Sequence, residues 1–250
     1  GNYALDALTS GDNNVAIGQN ALGANTTGNN NTGVGLSALV ANTTGGSNVA
    51  LGAVSLSTNT DGSNNTGVGY AALKLNSTGA RNTGFGRNAL TANTTANDNV
   101  AVGDLAMNTN TTGANNVAVG AQALEANTTA SDNVAVGYKA LEANTTGASN
   151  VAIGTQALLL NTTGSQNVAV GQHALDSNTT GADNVAMGTD ALQANTTGNR
   201  NVAIGKDALT TSHNGDDCVA IGKGALSANT GGENIAVGTS AADANTSGVR

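Results

Sequence analysis

The sequence predicts an all-β fold, a parallel β-solenoid, from three observations. Almost the whole 250-residue chain is one 17-residue unit repeated head to tail, as in the copies NVAVGAQALEANTTASD, NVAVGYKALEANTTGAS and NVAIGTQALLLNTTGSQ that start at Asn116, Asn133 and Asn150. Each unit contains a β-branched run bounded by Asn and Gly, and each ends in turn-forming residues. A fixed period of this kind indicates units that bury their apolar faces by stacking on one another.

The composition agrees with a thin core that is repeated many times. Aromatic residues make up 2% of the chain, Pro is absent and Gly numbers 35, so the apolar content is Val, Ala, Ile and Leu. The net charge of −8 provides no basic stripe, and we therefore expect no nucleic-acid partner. No apolar run is long enough to cross a bilayer, so we expect no membrane insertion in this segment.

The domain plan expected from the sequence is a single repeat array over residues 1–250, of about fifteen coils. Solenoids normally end in capping units, and neither end of this chain resembles a cap. We therefore expect a segment of a longer protein. The single cysteine, Cys218, cannot form an intrachain disulfide and stands where other units have Asn.

The unit Asn133 to Ser149 serves as the template for the secondary structure. Residues 134–136 read as a first strand and residues 140–143 as a second, joined by Gly and Asn turns. Because side chains alternate along a strand, we place four residues inside the coil. They are Val134, Val136, Leu141 and Ala143.

Two asparagine columns are predicted to form hydrogen-bonded ladders from coil to coil. The first opens each unit, from Asn14 to Asn201, with Cys218 and Asn234 beyond. The second comprises Asn25, Asn42, Asn59, Asn76, Asn93, Asn110, Asn127, Asn144, Asn161, Asn178 and Asn195.

A column of Ala and Gly occupies the middle of the first strand, on the face that alternation directs outwards. A strand that is apolar on both faces is expected to be buried on both, either by the opposite wall of its coil or by an identical chain. We favour the identical chain and predict a chain–chain interface at this column. The column comprises Ala16, Gly33, Ala50, Gly67, Gly84, Ala101, Ala118, Ala135, Ala152, Ala169, Ala186, Ala203, Ala220 and Ala236.

The NVAIG-x-x-AL pattern, as at Asn150 to Gly154 and at Asn201 to Gly205, resembles the YadA-like head repeat of trimeric autotransporter adhesins. The chain is similar, too, to NTTG-punctuated repeats of phage tail-fibre proteins. The resemblance covers nearly the whole chain, although the Asn-Thr-Thr-Gly turn makes the unit longer than the usual head repeat. It implies a left-handed parallel β-roll, a homotrimer of side-by-side or intertwined chains, and an extracellular place on a cell surface or virion.

Catalytic chemistry is not predicted. His173 and His213 fall at different positions of their units, so stacking does not bring them together. Glu125 and Glu142 share a position in adjacent coils and Asp176 repeats it two coils later, which reads as a solvated acidic face rather than a weak cation site. We expect no enzyme activity, no cofactor and no metal.

The Asn-Thr-Thr segment places two threonine columns side by side, the first directed inwards and the second outwards beside the second Asn column. A regular Asn-x-Thr rank gives an alternative hypothesis, an ice-binding β-solenoid; the simpler interpretation is a polar turn edge. The outward column comprises Thr27, Thr44, Thr95, Thr112, Thr129, Thr146, Thr163, Thr180 and Thr197.

The function that the sequence favours is a structural or adhesive fibre segment, a rigid trimeric rod for surface attachment or receptor binding. The expected partners are further copies of the chain and a host cell-surface glycan or protein. The variable pairs after each glycine (Tyr70-Ala71, Tyr138-Lys139 and Gln172-His173) are the expected exposed contacts. A self-assembling extracellular filament without a receptor is a further alternative.

Overall fold

A computed structural model of the chain describes residues 1–211 and 215–246, and His213 lies outside them. The chain divides into two compact units, Gly1–Thr129 and the part that begins at Ala130. Each unit is a parallel β-solenoid, and the described residues contain no helix. The strands of the first unit are β1 (Val15–Ile17), β2 (Thr32–Val34), β3 (Val49–Leu51), β4 (Thr66–Val68), β5 (Thr83–Phe85), β6 (Val100–Val102) and β7 (Val117–Val119). Those of the second unit are β8 (Val134–Val136), β9 (Val151–Ile153), β10 (Val168–Val170), β11 (Val185–Met187), β12 (Val202–Ile204), β13 (Val219–Ile221) and β14 (Ile235–Val237).

Successive strands within each unit pair in parallel, and each strand lies one repeat after the last. Val151 pairs with Val168 and Val168 pairs with Val185, a register of 17 residues. The register shortens between β13 and β14, where Val219 pairs with Ile235. Below, a position is counted from the Asn that opens each 17-residue repeat, so Asn150 is position 1 and Ala152 is position 3. A column is one position taken over all coils, and the word unit is kept for the two compact parts of the chain.

The predicted second strand at residues 140–143 is wrong, because this part of every coil is a run of turns. Ala140 N donates to Gly137 O at 3.3 Å and Asn144 N donates to Leu141 O at 3.2 Å, which closes two consecutive turns. Lys139 and Leu141 adopt left-handed backbone conformations, with φ of 58° and 54°. Ala and Glu are depleted in strands, and their presence here was the available signal against a second strand.

The core is made of residues that repeat in every coil. Leu at position 9, with Met107 in one coil, supplies the largest fully buried side chains. Ala at positions 3 and 8 and Asn at positions 1 and 12 are buried around it in nearly every coil. The interior is therefore narrow and half amide in character, and its stability depends on hydrogen bonds between coils as well as on apolar burial.

The faces of the strand are the reverse of the prediction. Ala135 is fully buried inside its own coil, whereas Val134 and Val136 lie on the outer surface and Ala143 is half-buried. Only Leu141 of the four predicted interior residues is in the core. Alternation was correct, but it fixes which residues share a face and leaves open which face is inside.

The small-residue column is therefore not accessible to a second chain, and the predicted chain–chain interface there is wrong. Its members lie against the opposite wall of their own coil, half-buried at the first strand and buried at the others. They are Ala16, Gly33, Ala50, Gly67, Gly84, Ala101, Ala118, Ala135, Ala152, Ala169, Ala186, Ala203, Ala220 and Ala236.

The core leucines limit the size of these residues. A Cβ on Gly84 would lie 3.3 Å from Leu73 Cγ, and a Cβ on Gly67 would lie 2.5 Å from Ser55 Oγ. Ser55 uses the space that Gly67 leaves, and its hydroxyl donates to Gly67 O at 3.0 Å. The limit that suggested a partner chain therefore comes from the coil itself.

Candidate functional site: the outward strand face

The outward strand face consists of the first and last residues of each strand, which are positions 2 and 4 of the repeat. It is the main exposed apolar surface of each unit. Phe85 is 54% exposed, Ile153 is 41% exposed and Met187 is 43% exposed. None of the chain's 8 Lys and Arg or its 16 Asp and Glu occupies either position in any described strand. Solvent-exposed strands normally carry charged and polar side chains. The absence of charged residues from this exposed face is therefore unusual.

The two units differ on this face. In the first unit position 2 is Thr in three strands, at Thr32, Thr66 and Thr83. The second unit carries only Val, Ile and Met on the face, from β8 to β14. Contiguous exposed apolar patches of this kind are typical of interaction surfaces.

The asparagine columns hold each coil rigid behind the face, and their predicted role as ladders is confirmed. Asn161 Nδ2 donates to Asn144 Oδ1 and to Gly164 O, both at 2.9 Å. Asn150 Nδ2 donates to the same Gly164 O at 2.9 Å, and Asn150 N donates to Asn133 Oδ1 at 2.9 Å. The Gly164 carbonyl thus accepts a hydrogen bond from both side-chain amides and closes the coil. The bonds to Asn133 and Asn144 join this coil to the preceding one.

The outward threonine column is exposed in both units, as predicted, but the Asn column beside it is buried. The expected two-residue Asn-x-Thr surface is therefore a single rank. It lies on a bend of the chain in each coil, and Asp61 interrupts it in the first unit, where Thr44 Oγ1 donates to Asp61 Oδ1 at 2.8 Å. The inner column donates to the backbone of the next coil, as Thr162 Oγ1 does to Thr179 O at 3.0 Å.

The predicted receptor contacts are exposed at only one of their two positions. Tyr70 and Tyr138 at position 6 are 59% and 49% exposed, and Gln172 is exposed as well. Position 7 lies closer to the coil, since Ala71 is buried and His173 is half-buried. Position 6 is thus the variable position that faces solvent.

The acidic side chains at position 10 face a partner at position 7 of their own coil. Gln122 Nε2 donates to Glu125 Oε2 at 2.8 Å, and Lys139 Nζ lies 3.0 Å from Glu142 Oε1. His173 Nδ1 lies 3.5 Å from Asp176 Oδ2. Burial raises the pKa of the Asp176 carboxyl, and the neighbouring His173 opposes that shift.

Cys218 occupies the place of an Asn in the first ladder. Its backbone N donates to Asn201 Oδ1 at 3.0 Å, and its Sγ lies 3.3 Å from Gly231 O. Burial raises the pKa of this thiol. The residue thus keeps the backbone half of the ladder and replaces the amide with a weak donor.

Within residues 1–211 and 215–246 there is no pocket and no cluster of three or more potential metal ligands. The same residues include no helix with the length and apolar character needed to cross a membrane. No protein-family model matches the chain, and no curated protein matches it.

Proposed function

We propose that this chain is a structural, non-catalytic segment of an extracellular fibre, in which parallel copies associate through their outward strand faces. The observation that carries the proposal is the uncharged, exposed Val/Ile face of the second unit. Covering such a face removes apolar surface from water, at roughly 25 cal/mol per Å². Each coil contributes a small apolar area, and because the face recurs in every coil these areas add up over a long contact.

Three copies per fibre is the number that the resemblance to trimeric adhesin and tail-fibre repeats implies. The coil supports a rigid role, because its Asn ladders and backbone bonds join each coil to the next. The resemblance also implies a host glycan or protein as a partner, and we propose that it binds at a surface that the association of the copies leaves exposed. The fibre thereby holds a binding surface away from the cell or virion that carries it.

Static light scattering on the purified chain tests the assembly. We expect about three times the chain mass of 24.1 kDa, independent of concentration in the micromolar range. A single chain mass at every concentration would refute the proposal. Masses that grow without limit would instead favour a filament that assembles itself.

The ice-binding alternative has less support than the sequence alone gave it. Its surface requires a flat array, and the buried Asn column leaves one threonine rank on a bend. The fibre is therefore the function that we propose.

A further inference from the structure

At position 4 of the outward strand face, residue size alternates from coil to coil between β1 and β11, except at β7, where Val119 matches its even-numbered neighbours. The residue is exposed in the odd-numbered strands from β1 to β11 and half-buried in the even-numbered strands from β2 to β10. In the first unit the odd strands carry Ile17, Leu51, Phe85 and Val119, and the even strands carry Val34, Val68 and Val102. In the second unit Ile153 and Met187 alternate with Val136 and Val170.

Position 6 alternates in the opposite phase. The even coils carry the larger residues there, including Leu36, Tyr70 and Tyr138, which are 51%, 59% and 49% exposed. The odd coils carry small ones, including Ala53 and Ala121. Gln19 and Arg87 depart from this pattern, and the Arg87 guanidinium pairs with Asp104 of the next coil at 2.7 Å.

The coils of β2 to β4 and of β8 to β11, called the regular coils below, therefore each have one large and one small residue at these two positions. Large residues at either position recur every second coil, which is about 10 Å along a stack of parallel strands. The buried columns do not require this period, since Leu at position 9 and Asn at position 12 recur in nearly every coil.

A second column, away from the strand, has the same two-coil period. At position 16 Ser or Asn alternates with Ala or Gly from Asn29 to Asn199. The polar residue accepts a hydrogen bond from the backbone of the preceding coil, as Ser63 Oγ does from Gly46 N at 3.0 Å and Ser165 Oγ does from Ala148 N at 3.0 Å. Two successive coils, 34 residues, thus form a second, longer repeat of this chain, and a partner can contact surface residues that recur with this period.

We propose that a second copy of this chain docks with zero axial offset, so that position 4 of one copy faces position 6 of its neighbour on the coil of the same number. This inference rests on the self-association in the proposed function and adds its register. In a closed ring of parallel copies each interface joins two different surfaces, and symmetry allows no axial offset. Large then faces small in the regular coils, which fills the interface evenly.

An offset of one coil loses this match. Leu51 would then face Leu36 or Tyr70, so that two large residues compete for one space, and Val68 would face Ala53, where both are small. Overpacking and cavities each weaken a contact. A partner matched to this surface must itself repeat every two coils, and a second copy of the chain meets that requirement.

A size exchange on the coil of β9 tests the register. Thr155→Tyr alone places a large residue opposite Ile153, and we expect association at least tenfold weaker by sedimentation equilibrium. The double variant Ile153→Val with Thr155→Tyr reproduces the pairing of Val136 and Tyr138, and we expect association within about twofold of the wild type. Far-UV circular dichroism of each variant confirms that the coil is folded. Unchanged association of the single variant, or a double variant as weak as the single, would overturn the register.

Disulfide trapping gives a second measurement, in a Cys218→Asn background that restores the Asn column. Two differently tagged variants, Val170→Cys and Gln172→Cys, are mixed and oxidised; we expect a disulfide between them, because bridged Cα atoms lie within about 7 Å. Val136→Cys mixed with Gln172→Cys, two coils apart, should give none. The reverse pattern would overturn the register and leave the fibre intact, whereas a chain that stays monomeric overturns both proposals.

Discussion

The inside of each coil and its outward strand face follow different rules. Inside, Leu, Ala and Asn recur every 17 residues, because each must match an identical neighbour in the next coil. Outside, positions 4 and 6 change in size with a period of two coils in the regular coils, and positions 2 and 4 exclude charge throughout the described strands. The comparison separates residues that build the coil from residues that are free to match a partner.

The largest effect is expected from breaking the inside at an Asn ladder. Asn161→Ala removes the bonds to Asn144 and Gly164 and leaves Asn178 Nδ2 without its acceptor at 2.8 Å. Buried groups left without partners cost about 1–3 kcal/mol each, so we expect a loss of about 3–6 kcal/mol in the free energy of unfolding. Urea denaturation measures it.

The matched control for the ladder is Thr163→Ala, two residues away on the exposed rank. A surface change of this kind should stay within about 0.5 kcal/mol of the wild type. Equal effects of the two variants would contradict the division between inside and outside.

A smaller effect separates two glycine columns. Gly154 has φ of 135°, and an added Cβ would lie 2.5 Å from Gly171 O of the next coil. Gly154→Ala therefore combines backbone strain with a clash, and we expect a cost of about 2–5 kcal/mol in thermal or urea unfolding.

Gly147→Ala is the control for that substitution. Its φ lies outside the left-handed region, and other coils carry Ala at the same position, at Ala96 and Ala130. A Cβ on Gly147 would meet Gly164 O of the next coil, but the coils that carry Ala96 and Ala130 accommodate one. Because no left-handed strain is added, we expect a smaller cost than for Gly154→Ala, about 1 kcal/mol. If Gly147→Ala were the more harmful change, the role assigned to the left-handed glycine would be incorrect.

A stabilising change is expected at Val54, a β-branched residue with φ of 52°. Gly occupies the same position at Gly224 with φ of 65°. Left-handed backbone costs an L-residue about 1–2 kcal/mol, so Val54→Gly should raise the free energy of unfolding by about 1 kcal/mol. A decrease would show that the Val54 side chain contributes more by packing than its backbone loses by strain.

The smallest expected effect concerns the threonine rank. The purified chain should show no thermal hysteresis, because a single rank on a bend offers no flat lattice. Nanolitre osmometry checks this. Hysteresis that disappears in Thr146→Lys and Thr163→Lys variants would support ice binding instead.

Much of the fold was predictable, since periodicity reports stacking directly. The solenoid, the first strand, the Asn ladders and the exposed threonine column all follow from the 17-residue register. The second strand failed because Lys139 and Leu141 adopt left-handed conformations that neither residue type signals.

The candidate site was harder to predict, because alternation relates Ala152 to its neighbours Val151 and Ile153 without identifying the inner face. Ordinary burial statistics place Val and Ile inside, and here Leu158 from the turns fills the core and leaves room only for Ala. The two-coil period was present in the sequence, but its meaning depends on knowing that position 4 is exposed.

The most direct test of the outward face as the association surface is light scattering on three chains: the wild type, Ile153→Lys and Thr163→Lys. A charge on the apolar face should prevent its burial, whereas the same charge on the threonine rank should not. We predict about three chain masses for the wild type and Thr163→Lys, and one chain mass for a folded Ile153→Lys. An Ile153→Lys variant that assembles like the wild type would contradict the account.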